Sequence, residues 1–170
     1  MRTFLKPLVI LSLCLTVGAT SAKAQSTFKL LGVQMKIEVP AVQTKGASSV
    51  MRVQVPPGVG PPAAHIHSRE DETYIITRGH FRFWHGKQVV DAMPGSVVFL
   101  PRNEAHQWLN VGSTPGEHIM VISPAGLERF FLEVSKRGLT MPKDQAEFMR
   151  ISAAYGIRYV ASLMKHPMRR

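Results

Sequence analysis

The chain is 170 residues long, carries a formal net charge of +10 at pH 7 and contains one cysteine. This length fits a single domain, and the lone cysteine, Cys14, excludes both an internal disulfide and a zinc site built from several thiolates. The basic residues are scattered and form no run interleaved with aromatic residues, so nucleic-acid binding is not expected.

The N-terminal segment has the pattern of a secretory signal peptide. A basic start over residues 2–6 precedes an almost unbroken apolar run over residues 8–17. Ala22 and Ala24 then supply small residues at the two positions that a signal peptidase reads, so we predict cleavage between Ala24 and Gln25. The mature protein is then periplasmic or secreted, with no stable membrane insertion. The alternative is an uncleaved anchor, although the apolar run is short for a membrane span.

Residues 28–123 have a residue pattern that is typical of β-strands. Short runs rich in valine, isoleucine and phenylalanine are separated by glycine, proline and asparagine. The predicted strands cover residues 33–39, 50–55, 80–85, 88–91, 96–100, 107–111 and 118–123. Many short strands at regular spacing predict an all-β barrel or sandwich, not a parallel α/β sheet.

After residue 123 the apolar residues recur at the period of a helix. Those that define the first helix are Leu127, Phe130, Phe131 and Val134. Ser123 is its candidate N-cap, with Pro124 in the first turn. A second helix is predicted over residues 143–154 and ended by Gly156.

Three histidines and one glutamate are the candidate metal ligands. His65 and His67 are two residues apart, so on a strand both side chains point to the same side. A short polar connection lets the chain turn and present Glu72, and His106 follows the strand predicted over residues 96–100. Three imidazoles and a carboxylate suit Fe, Mn, Ni, Cu or Zn, whereas Ca and Mg prefer oxygen ligands. For each histidine alone, a hydrogen-bonded core or rim position is the alternative.

Two segments around these residues resemble the two sequence motifs of the cupin family. The first covers residues 60–79 and the second covers residues 95–110. The residues that carry the resemblance are His65, His67 and Glu72 in the first and Gly95, Pro101, His106 and Asn110 in the second. There are two departures. Asn103 stands where the family usually has glycine, and Gly60 is one residue closer to the first histidine than usual.

The resemblance implies a single-domain cupin-type double-stranded β-helix, or jelly-roll barrel, with C-terminal helices. It implies one divalent transition-metal ion and a homodimer, for which the strand over residues 33–39 is the candidate edge. Together with the N-terminal pattern, the predicted organisation is a signal peptide over residues 1–24, a barrel over residues 25–123 with its core at about 34–123, and a C-terminal helical extension over residues 124–170.

Residues 123–131 and 153–156 are similar to parts of small monocupins of the quercetin 2,3-dioxygenase-like kind. This similarity implies a metal-dependent dioxygenase-like oxidoreductase acting on a small aromatic or enolic compound, with Glu72 as ligand or as catalytic base. A metal-dependent isomerase or lyase and a non-catalytic envelope protein that binds a small ligand or metal are the alternatives, because the fold hosts all three.

Strand alternation predicts the wall of a substrate pocket. Tyr74 and Ile76 share the side of Glu72, and Trp108 and Asn110 share the side of His106. Such walls bind flat organic molecules, although simple barrel core is the alternative. The other histidines match no ligand position and are expected at the surface or beside the ligands: His80, His85, His118 and His166.

Overall fold

The computed structural model describes residues 27–164, which form two antiparallel sheets followed by two short helices. The strands are β1 (Thr27–Leu30), β2 (Val33–Val39), β3 (Ser49–Val55), β4 (His65–His67), β5 (Asp71–Arg78), β6 (Phe81–His85), β7 (Gln88–Ala92), β8 (Val97–Leu100), β9 (His106–Asn110), β10 (Gly116–Ser123) and β11 (Ile157–Tyr159), and the helices are α1 (Glu128–Arg137) and α2 (Gln145–Ala154). One sheet has the order β1-β2-β3-β10-β5-β8 and the other β11-β4-β9-β6-β7. The predicted all-β jelly-roll barrel with C-terminal helices is confirmed.

Alternate residues of the strands fill the space between the sheets. Along β10, His118, Met120 and Ile122 are buried, and the residues between them are half-buried. Phe81 and Phe83 on β6 are fully buried in the same core. Because side chains on a strand alternate between its two faces, the apolar face of each strand packs inward.

Helix α1 begins at Glu128, so the prediction of Ser123 as its N-cap is wrong. Ser123 is the last residue of β10, and its hydroxyl donates to the carbonyl of Ala47 at 3.1 Å. The Glu128 carboxylate accepts bonds from the amide of Gly126 at 2.8 Å and from the hydroxyl of Ser49 at 3.0 Å. Strand pairing therefore extends through Ser123, and the buried Glu128 fixes the start of the helix.

The C-terminal region also contributes a strand that the sequence did not predict. β11 pairs with β4, so that Ile157 lies opposite His67 and Tyr159 lies opposite His65. At the other end of the chain, β1 pairs with β2. The strand over residues 33–39 is therefore not a sheet edge in the described part of the chain, and its prediction as the dimer edge is wrong. The homodimer itself stays a prediction.

The predicted signal peptide and His166 lie outside the described residues. Within residues 27–164, neither helix is long and apolar enough to cross a membrane.

Candidate metal centre

Four buried side chains from three strands meet inside the barrel. β4 supplies His65 and His67, β5 supplies Glu72, and β9 supplies His106, which lies directly opposite His65 in the sheet. Each offers one nitrogen or oxygen atom, and these four atoms all lie within 4.8 Å of one another. The structure thus brings together all four ligands that were expected from the sequence.

Main-chain carbonyls fix the tautomers of two of the histidines. Nδ1 of His65 lies 3.1 Å from the carbonyl oxygen of Ala63, and Nδ1 of His106 lies 3.2 Å from that of Glu104. A carbonyl oxygen only accepts, so Nδ1 carries the proton in both rings. Nε2 of each ring is then the unprotonated nitrogen, which is the form that a metal binds.

Three other ring nitrogens of the cluster lack partners. Within the described part of the chain, neither nitrogen of His67 nor Nε2 of His106 has a hydrogen-bond partner, although both residues are buried. Nε2 of His67 and Nε2 of His106 lie 3.6 and 3.2 Å from Oε2 of Glu72. Buried polar atoms without partners are costly, and a shared ion would satisfy them together. The residues present therefore fit a divalent transition metal, and this donor set accepts Fe, Mn, Ni, Cu or Zn.

The electrostatics of the cluster favour the protonation states that a metal needs. Burial, together with the neighbouring imidazoles, lowers the pKa of His65 to about 3, and burial also lowers the pKa of His67. Burial opposes ionisation of Glu72, but the imidazoles around it, His67 first, hold its pKa at about 2. Neutral imidazoles and an ionised carboxylate are the ligating forms, so deprotonation adds little cost to metal binding.

The turn before His106 is tied to the strand that carries two of the ligands. Asn103 has a left-handed backbone with a φ of 66°, and its amide donates to the carbonyl oxygen of His67 at 2.7 Å. Asparagine adopts this conformation more readily than most residues, so it can replace the glycine that the family usually has. The departure at Asn103 leaves the ligand geometry intact.

Two tyrosines surround the cluster, and the sequence predicted only one of them. The hydroxyl of Tyr74 donates to Oε2 of Glu72 at 3.2 Å, which orients the carboxylate. The ring of Tyr159, on β11, lies 5.6 Å from that of His65 between centroids. Tyr159 was missed because it lies in a three-residue strand far along the chain, and its position depends on the pairing of β11 with β4.

A largely apolar cavity of about 90 Å³ is lined by two neighbours of the cluster, Tyr74 and Tyr159, whereas none of the four cluster residues is among its lining residues. Its wall includes Tyr74 and Trp108, which were predicted to line a pocket, and also Tyr159. The other lining residues are mostly apolar and come from the barrel, the loop before β4 and both helices: Leu30, Leu31, Val33, Met35, Val53, Gly60, Pro61, Pro62, His118, Met120, Phe130, Phe131 and Phe148.

The structure does not place the other two predicted pocket residues on this cavity. The side-chain amide of Asn110 donates to the carbonyl oxygens of Val55 and Thr114 at 2.9 and 3.0 Å. It therefore ties the end of β3 to the loop between β9 and β10. Ile76 is buried in the core and is not among the lining residues. His118 is also different from expectation, because it is fully buried in the barrel and lines the cavity.

Comparison with known proteins supports the same family as the two motifs. Residues 51–122 match the sequence family described as the cupin domain. No curated protein matches the sequence.

Several solved structures share the fold at low sequence identity. KdgF from Halomonas sp. is 18% identical, with a TM-score of 0.54 over 61% of this chain and 92% of its own. A predicted oxalate decarboxylase from Thermotoga maritima is 24% identical, with a TM-score of 0.54 over 60% and 95%. A Streptomyces Pac13 variant with uridine is 16% identical, with a TM-score of 0.52 over 81% and 85%. Residues 51–122 thus match the cupin domain, and the described part of the chain shares the barrel fold of these structures.

Proposed function

We propose that this protein is a metal-dependent, dioxygenase-like enzyme that acts on a small aromatic or enolic compound. The observation that carries the proposal is that Tyr74 connects the four-residue cluster to an apolar cavity: its hydroxyl donates to Glu72 and its side chain lines the cavity. A divalent transition metal held by His65, His67, Glu72 and His106 would supply a Lewis acid with open coordination positions.

The cavity wall favours a small and mostly apolar substrate. None of its described lining residues is Lys, Arg, Asp or Glu, so the wall offers no charged partner for a phosphate or a carboxylate. Pockets for drug-sized ligands occupy about 300–1,000 Å³. With about 90 Å³, this cavity takes a small ligand or one end of a larger one, such as a single aromatic ring.

Glu72 is the group that we expect to accept a proton from the substrate. It is the one carboxylate among the four side chains, and the ring nitrogens of the histidines are the expected metal-binding atoms. An enol or phenol hydroxyl that reaches the metal centre would lie next to this carboxylate. Tyr74 holds Oε2 of Glu72 in place and leaves the second carboxylate oxygen available.

A metal-dependent lyase or isomerase is the second candidate. A Lewis acid beside a carboxylate base is sufficient for that chemistry without oxygen. One structure with the same fold, Pac13, is described as a nucleoside dehydratase, with 16% identity and a TM-score of 0.52. The apolar cavity favours the first candidate, because a hydroxyl-rich substrate such as a nucleoside needs more polar partners than this wall offers.

Oxygen uptake by the metal-loaded protein separates these candidates. Single-ring catechols and cyclic 1,3-diketones would be supplied in turn, and oxygen and substrate would be measured with and without air. We expect stoichiometric oxygen consumption that Glu72→Gln reduces and His106→Ala abolishes. Substrate loss without oxygen would instead indicate a lyase or isomerase. Tight binding of these compounds without turnover would indicate a binding protein and contradict both catalytic candidates.

A further inference from the structure

His118 is a buried histidine that lies outside the metal cluster. Its side chain is fully buried on β10, and within the described part of the chain neither Nδ1 nor Nε2 has a hydrogen-bond partner. Buried polar groups without partners are rare in folded proteins, because the hydrogen bonds that they lose to water are not replaced. Such a position calls for an explanation other than stability.

The surroundings of His118 do not provide that explanation. The edges and faces of three aromatic rings enclose it, with centroid distances of 4.9 Å to Tyr74 and 5.2 Å to both Phe81 and Trp108. Burial lowers the pKa of His118 to about 3, so its ring is neutral. A leucine or methionine at this position would pack into the same apolar environment without an unsatisfied nitrogen.

His118 belongs to the wall of the apolar cavity. It lines the apolar cavity together with Met120 of the same strand and with Tyr74. The hydroxyl of Tyr74 already donates to Glu72. Among the described residues that line the cavity, His118 is the one whose side-chain nitrogens are both buried and without a partner; one can donate a hydrogen bond and the other can accept one.

We propose that His118 is a substrate-binding residue, whose imidazole hydrogen-bonds a neutral hydroxyl or carbonyl group on the apolar end of the ligand. Through this bond His118 selects ligands that carry such a group and fixes their orientation in the cavity. The further statement that the other end of the ligand reaches the metal centre rests on the proposed function. Binding in the cavity itself does not depend on it.

Phenol and toluene are suitable probes because they have nearly the same shape and only phenol carries a hydroxyl. Their dissociation constants would be measured by NMR titration with the wild type, His118→Leu and His118→Gln, each without metal and loaded with zinc. We expect His118→Leu to weaken phenol binding by about three- to tenfold, as befits one hydrogen bond. Toluene binding should stay within about twofold, and His118→Gln should restore part of the preference for phenol.

Met120→Leu is the matched control, since Met120 lines the same cavity but carries no hydrogen-bonding nitrogen. It should change phenol and toluene binding in parallel. The proposal is overturned if His118→Leu binds phenol as tightly as the wild type, if it weakens both probes equally, or if neither probe binds the wild type at millimolar concentration. Metal content is measured on the same samples, so failure of the metal centre is recognised separately from failure at His118.

Discussion

Replacing His118 by leucine should stabilise the metal-free protein at neutral pH, unlike most substitutions in a core. A buried polar group without a partner costs about 1–3 kcal/mol, and a change of shape in a packed core costs up to about 1.5 kcal/mol. We therefore expect His118→Leu to raise the free energy of unfolding by about 1 kcal/mol at pH 7.5, which corresponds to a rise in Tm of about 2–4 °C.

The difference in the free energy of unfolding between His118→Leu and the wild type should be larger at acidic pH. Burial lowers the pKa of His118 from 6.5 to about 3 in the folded state, so between these values the unfolded chain binds the proton and the folded chain does not. Above pH 6.5 the residue adds no pH-dependent cost, and below it the free energy of unfolding of the wild type falls by about 1.4 kcal/mol per pH unit. At pH 5.5 the advantage of His118→Leu should therefore be about twice that at pH 7.5, roughly 2 kcal/mol.

Urea unfolding of the chelator-treated proteins at pH 7.5 and pH 5.5 measures both effects. Met120→Leu serves as the control, and the pH dependence of its unfolding free energy should match that of the wild type. If His118→Leu is less stable than the wild type at both pH values, with the same pH dependence, then His118 is hydrogen-bonded or hydrated and the reasoning is refuted.

Three further predictions concern other parts of the chain. Tyr74→Phe should keep the fold but weaken metal binding by about tenfold, because Glu72 loses the hydroxyl that orients it; an unchanged dissociation constant in a metal titration would contradict this. Gly60→Ala should lower the free energy of unfolding by more than about 2 kcal/mol, since a Cβ at that position collides with a main-chain carbonyl of β9; a Tm equal to that of the wild type would show that the loop yields. Intact-mass measurement of the protein from an envelope fraction should give a chain that starts at Gln25, and a mass that includes residues 1–24 would contradict the predicted cleavage after Ala24.

The metal cluster could be predicted because short segments of the sequence define its ligands. The two-residue spacing of His65 and His67 sets their common direction on a strand, and the motif around His106 is continuous in the sequence. The tolerance of Asn103 for a left-handed backbone was also predictable from residue type, and its φ of 66° agrees.

The positions of Tyr159 and His118 in the fold could not be predicted from the local sequence alone. Tyr159 reaches the cluster only through the pairing of β11 with β4, which joins segments about ninety residues apart. His118 did leave a signal, because strand alternation puts it on the same face as Met120 and Ile122. Its histidine identity suggested a position at the surface or beside the ligands, and the pattern of its apolar neighbours would have predicted its burial better.

The metal content of the purified protein shows whether the four-residue cluster binds a metal ion. We predict about one equivalent of a divalent transition metal in the wild type, by elemental analysis after gel filtration, and less than about a tenth of that in His65→Ala and in His106→Ala. His80→Ala is the matched control. Nε2 of His80 lies 2.9 Å from Oδ1 of Asp91 near the surface, so its loss should not affect metal content. Full metal content in both cluster variants, or equal loss in His80→Ala, would contradict the account.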